Sequence, residues 1–226
     1  MTDMIRIDSH GTAIQGELFS PTAVSNGGLI VVAHGSDGMN EPWAAMIREY
    51  ATELGVKGFT ALIPNYFGKT GTVPGPHVFA ELAANLQSWE EAVSDTITHG
   101  KTLSGISGSR VGLLGFSLGG HICLRLRGSA KALVEFFAPE LRELGGIGSA
   151  HVPALQVQIH HGTADMLVPF SDTQSIAAAL ALEGTVAEVF SYDGAGHGFA
   201  GADPNNATAR RSSKDRTLAF FGQHLS

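Results

Sequence analysis

The stretch Gly115-Phe116-Ser117-Leu118-Gly119-Gly120 constrains the chain more than any other. It follows the apolar run Val111-Gly112-Leu113-Leu114 and leads into Leu118, Ile122, Cys123 and Leu126 at helical spacing. A strand must therefore pass into a helix through one tight turn. A serine at the apex of such a turn is held in a strained backbone conformation, so neighbouring positions must lack side chains that would clash. Its hydroxyl then stands above the sheet edge, and the Leu118 N–H, near a helix N-terminus, points at developing negative charge. The same glycines also suit a plain strand-to-helix turn with an incidental serine. A five-residue pattern alone does not decide between the two.

Strands and helices alternate on both sides of that turn. Residues 4–7 and 14–18 flank His10-Gly11 and read as an opening hairpin. Leu29-Ile30-Val31-Val32-Ala33 is continuously apolar, as a strand covered on both faces is, and stops at the loop His34-Gly35-Ser36-Asp37-Gly38. Asn40 and Pro42 start a helix with Trp43, Met46, Ile47, Tyr50 and Leu54 on one face and Gly55 as its stop. Residues 59–63 form the next strand and 64–76 an irregular loop. Val78, Leu82, Leu86, Trp89, Val93 and Ile97 then mark a long helix with one buried stripe. Beyond the turn, strands are expected at 132–136, at 155–159 (where Gln156 and Gln158 leave one face less apolar) and at 186–192. An alanine-rich helix lies between Ser171 and Gly184, and Asp203-Pro204 opens a closing helix with Leu218, Phe221 and Leu225 buried. This order predicts an α/β fold with a mainly parallel central sheet and helices on both faces. A length of 226 residues suits one domain over 1–226, and no insertion is long enough for a lid domain.

Composition excludes several classes of function. With 43% hydrophobic and 15% charged residues the chain is a compact globule, not a disordered one. A net charge of -7, with no basic run longer than Arg210-Arg211, favours neither nucleic acid nor anionic lipid. Cys123 is the single cysteine, so no internal disulfide forms and a reducing cytoplasm is the expected compartment. Met1 to Asp8 has no apolar core of a signal peptide, and no apolar run approaches the roughly 20 residues of a membrane span. A cytoplasmic monomer or small homo-oligomer is expected. His160 and His161 have no Cys, Asp or His partner at zinc spacing, so neither metal nor cofactor is expected, and His160 is read as a packed strand-end residue.

An alcohol is a poor nucleophile at neutral pH, so Ser117 needs a base and the base an orienting carboxylate. His197, in Asp193-Gly194-Ala195-Gly196-His197-Gly198-Phe199 after the last strand, is the candidate base. Asp165, in His161-Gly162-Thr163-Ala164-Asp165, is the candidate acid; Asp193 and Glu135 are its rivals, and a turn-forming role is its structural alternative. All three candidates fall just past strand C-termini, where open parallel sheets bind ligands. Their order, Ser then Asp then His, is that of the α/β-hydrolase fold. A second donor to an oxyanion hole, beside Leu118 N–H, must come from the loop after the 29–33 strand, with Ser36 N–H the first choice and Asp37 N–H the second. His121 and Cys123, on the helix after the serine, are read as structural, the latter as a buried inert thiol.

These segments resemble the dienelactone hydrolase family, small α/β-hydrolases without a lid. The resemblance runs nearly end to end and rests on Gly115–Gly120, on His161-Gly162-Thr163-Ala164-Asp165 with Val168-Pro169, and on Gly194-Ala195-Gly196-His197-Gly198-Phe199. It implies hydrolysis of esters or lactones through a covalent acyl-enzyme. Three departures stand out. The family's founding enzymes carry cysteine at Ser117, a thiol-activating glutamate at Gly35 and a carboxylate-binding arginine at Gly201. A serine served by a His-Asp pair does not need that glutamate, and loss of the arginine argues against an anionic dienelactone. The expectation is thus a serine-dependent hydrolase of small carboxylic esters or lactones, with Phe67, Phe79, Phe137 and Phe199 as candidate substrate walls. The alternatives are a peptidase or thioesterase with the same triad, or a non-catalytic binding protein of the same fold.

Overall fold

The computed structural model describes residues 2–225; Met1 and Ser226, the ends of the span read above as one domain, lie outside the described residues. Eight strands form one sheet in the order β1-β2-β4-β3-β5-β6-β7-β8. β1 (Thr2–Ser9) and β2 (Thr12–Phe19) are the expected hairpin, and β2 continues antiparallel onto β4 (Thr60–Pro64). From β4 onward every pairing is parallel: β3 (Leu29–Ala33), β5 (Val111–Phe116), β6 (Ala132–Phe136), β7 (Gln156–Gly162) and β8 (Ala187–Tyr192). Continuous apolar runs become the central strands because both of their faces are covered. β3, β4, β5 and β6 have no exposed residue.

Helices cover those faces. α2 (Val78–Lys101), α3 (Leu118–Arg125) and α4 (Phe170–Leu182) pack on one, α1 (Trp43–Val56) and α5 (Pro204–Leu225) on the other. The stripe Leu82, Leu86, Trp89, Val93 and Ile97 is buried as its spacing predicts, and Trp89 donates its indole N–H to Thr70 Oγ1 at 2.9 Å. Among the described residues no helix is long and apolar enough to cross a membrane.

Two details differ from the sequence reading. α1 runs through Gly55, and the chain turns instead at Gly58, whose φ of +88° is in the left-handed region that favours glycine. β7 extends to Gly162, and its less apolar face, Gln156, Gln158 and His160, is buried beyond Gln156. Gln158 is buried, with its carbonyl accepting from His160 Nε2 at 2.8 Å and its amide donating to Glu188. Mutual hydrogen bonding thus lets glutamine and histidine occupy buried positions on that less apolar face.

Candidate active site

Ser117 sits at the end of β5, between β3 and β6, with φ +52° and ψ −118°. A non-glycine residue is forced into that conformation by its surroundings. Its N–H donates to Phe136 O at 2.9 Å, and its carbonyl accepts from His121 N at 3.2 Å, the first turn of α3. A Cβ on Gly115 would stand 2.4 Å from Gly119 O, and one on Gly119 would stand 2.2 Å from Ala33 O. Both glycines are therefore steric requirements of the turn. The Ser117 hydroxyl is buried and makes no hydrogen bond to another residue.

The acid and the base come from neighbouring loops. β7 and β8 are paired in parallel up to Gly162 and Tyr192, so the chain leaves both strands side by side. Thr163 N donates to Tyr192 O, Ala164 N to Ala195 O and Gly194 N to Thr163 Oγ1, which stitches the loops together. Across this seam His197 Nδ1 donates to Asp165 Oδ2 at 2.7 Å. Asp165 Oδ1 accepts from Leu167 N and Val168 N, each at 2.9 Å. Burial works against charge on Asp165, but hydrogen bonds from His161 and His197 outweigh it and hold the carboxyl well below the usual range. An ionised acceptor at Oδ2 fixes the Nδ1–H tautomer of His197 and leaves Nε2 free to take a proton. Asp193, by contrast, accepts from Thr163 Oγ1 and Glu135 from Ala138 N.

Ser117 and His197 line one cleft that opens to solvent. Trp43, Met46 and Ile47 of α1, Phe116, Phe137, Leu167, Gly198 and the segment 35–38 complete its lining, with no Lys or Arg. Among the described residues the N–H groups of Ser36, Asp37 and Leu118 donate to no other residue, and Ser36 and Asp37 both line the cleft. A Cβ on Gly35 would lie 3.3 Å from Ser117 Cβ, so a side chain there would press on the serine. Of the four phenylalanines, Phe137 lines the cleft, its ring 4.6 Å from that of His197. The other three do not. Phe67 is buried against His34, Tyr66 and Trp89, Phe79 packs on the α2 side of the core, and Phe199 lies behind Phe137. Trp43 and Met46 were missed as walls because their helical spacing marks them only as facing the sheet.

Three further buried groups lie around the turn. Burial pulls His121 down to about 4 while Nδ1 donates to Pro139 O, and burial raises the Cys123 thiol well above its usual range. Burial also pushes Glu135 up to about 7, against the pull of Ala138 N–H and His161. Because that value lies above the ordinary 4.5, the contribution of Glu135 to stability is full below pH 4.5 and is lost as pH rises through about 7. Scanning calorimetry of Glu135→Gln should show the variant gaining on the parent by several degrees between pH 4.5 and 7.5. A difference independent of pH would mean that this carboxyl does not titrate in that window.

The model of the dienelactone hydrolase family matches residues 14–225. A Synechocystis protein named "Putative carboxymethylenebutenolidase" is 27% identical over 217 residues, 88% of this chain and 86% of its own. Among solved structures, the fold is shared with a dienelactone hydrolase-like promiscuous phosphotriesterase, P91, from metagenomic libraries (TM-score 0.79, 20% identity, 100% of this chain and 99% of that one). It is shared also with a Mycobacterium tuberculosis puromycin-hydrolyzing peptidase, at TM-score 0.74 and 19% identity, over 100% of this chain and 39% of that one.

Proposed function

Because the chain belongs to the dienelactone hydrolase family, we propose that it hydrolyses small, uncharged carboxylic esters or lactones through a seryl acyl-enzyme. The observation that carries this reading is the 2.7 Å hydrogen bond from His197 to an ionised Asp165, on the cleft that Ser117 also lines. Ser117 Oγ attacks the carbonyl carbon while His197 Nε2 takes its proton. The resulting oxyanion accepts from the Leu118 and Ser36 amides, which have no other claim on them. Collapse expels the alkoxide, which leaves with the proton held by His197. Water then attacks the acyl-enzyme with His197 as base, and the acid departs. Serine–histidine hydrogen bonds of this kind often tighten only in the substrate complex, which accords with the unpartnered Ser117 hydroxyl.

Substrate size and charge follow from the cleft. Trp43, Met46, Ile47 and Phe137 favour a short apolar group, and the absence of Lys and Arg from the lining gives a carboxylate-bearing substrate no counter-ion. The test is labelling by a fluorophosphonate probe, which needs only an activated serine. Labelling confined to Ser117 supports the reading, whereas a silent parent protein, under conditions that label a control esterase, favours a binding role.

A further inference from the structure

We propose that His161 is a positioning residue for the same reaction, anchoring Asp165 from the side opposite His197; the proposal rests on the function inferred above. The geometry is specific. Asp165 Oδ2 lies 2.7 Å from His197 Nδ1 and 3.2 Å from His161 Nε2, so two imidazoles share one carboxylate oxygen. His161 Nε2 is also 3.0 Å from Val168 O. Both neighbours of that nitrogen are acceptors, so it carries a hydrogen. Nδ1 is held at 2.7 Å by Thr173 Oγ1 of α4, and the ring is fully buried, edge-on to Phe170.

Oδ1 of Asp165 thus accepts two backbone N–H groups and Oδ2 the His197 N–H, with the His161 Nε2–H, which bonds Val168 O, beside it at 3.2 Å. The carboxylate cannot rotate without breaking one of the three bonds or driving Oδ2 away from the His161 donor. The charged and titratable groups around His161 are Asp165 at its Nε2 and Glu135 from β6; burial opposes a second proton, but these carboxyls and the Val168 carbonyl raise its pKa above the ordinary histidine value. A second N–H beside Oδ2 divides the charge of that oxygen and weakens its pull on the His197 proton.

His161→Phe, which keeps the ring volume but removes the donor, tests this. It should lower kcat about 10- to 100-fold with KM nearly unchanged, because a carboxylate with one anchor fewer misplaces the base. The acid limb of kcat/KM should move to higher pH by about one unit, since Oδ2 then bears fuller charge. The low-field proton resonance of His197 Nδ1–H should move further downfield for the same reason. His161→Gln, with an amide N–H near the Nε2 position, should restore most of each. If His161→Phe does not fold, Thr173→Val should show smaller shifts in the same direction. An unmoved acid limb and an unmoved resonance overturn the proposal, as does a glutamine variant as impaired as the phenylalanine one. A parent that neither hydrolyses esters nor takes the fluorophosphonate would defeat the hydrolase reading instead, and the proton resonance would still decide this one.

Discussion

Ser117→Ala should lower ester turnover by roughly 10⁴–10⁶-fold and leave the fold intact. The two halves of that expectation have separate causes. In the proposed reaction Oγ is the atom that bonds to the carbonyl carbon, so its removal would delete the covalent route and leave only what the cleft and the free amides give to attack by water. The same atom makes no hydrogen bond to another residue, so its removal breaks no contact within the protein. Alanine keeps the Cβ, and therefore the same backbone demand at φ +52°. The variant should consequently melt at or above the parent temperature while losing its chemistry. Steady-state kinetics on a short-chain p-nitrophenyl ester, with a thermal melt of the same sample, checks both. Turnover within tenfold of the parent would remove Ser117 from the reaction, and a lower melting temperature would mean that the hydroxyl has a partner.

How far the residues announced this arrangement differs from place to place. Ser117, Asp165 and His197 were legible because each follows a strand and stands in a glycine-framed loop, and those loops must emerge at one sheet edge. That edge follows from strand order: parallel neighbours such as β7 and β8 deliver their C-terminal loops together. The phenylalanines were not legible. Phe67 falls in a segment without periodicity, so nothing in the order of residues tells whether its ring meets the cleft or the core. Phe199 stands two residues after the base, yet the positive φ of Gly198 (+69°) and of Phe199 itself (+50°) carries its ring behind Phe137. His161 offered a signal that went unused. It shares a strand face with Val157 and Ile159, where a third apolar residue was due, and an ionisable group in such a position needs a partner. Asp165, four residues on, is that partner.

Asp165→Asn should cost about 10⁴-fold in kcat, with a smaller effect on KM. The hydrogen bonds dictate how the amide sits. Leu167 N and Val168 N both donate to Oδ1 at 2.9 Å, so the asparagine must place its oxygen there. Its NH₂ then occupies the Oδ2 position and faces His197 Nδ1 and His161 Nε2. His197 can satisfy that NH₂ only by accepting at Nδ1, which moves its own proton to Nε2. A ring protonated at Nε2 cannot take the Ser117 proton, so the base is present, in place and useless. Stability should change with a definite sign. The folded value of Asp165 is depressed, so its contribution is present above the unfolded value of about 3.9 and is lost as pH falls through the lower folded one. The parent should therefore melt above Asp165→Asn at neutral pH, and the gap should narrow only in strong acid. Asp193→Asn serves as the contrast: its carboxylate engages Thr163 and does not reach His197, so turnover should stay within a few-fold of the parent. Comparable losses in both variants would hand the orienting role to the loop as a whole, and near-parent activity in Asp165→Asn would take it from Asp165 altogether.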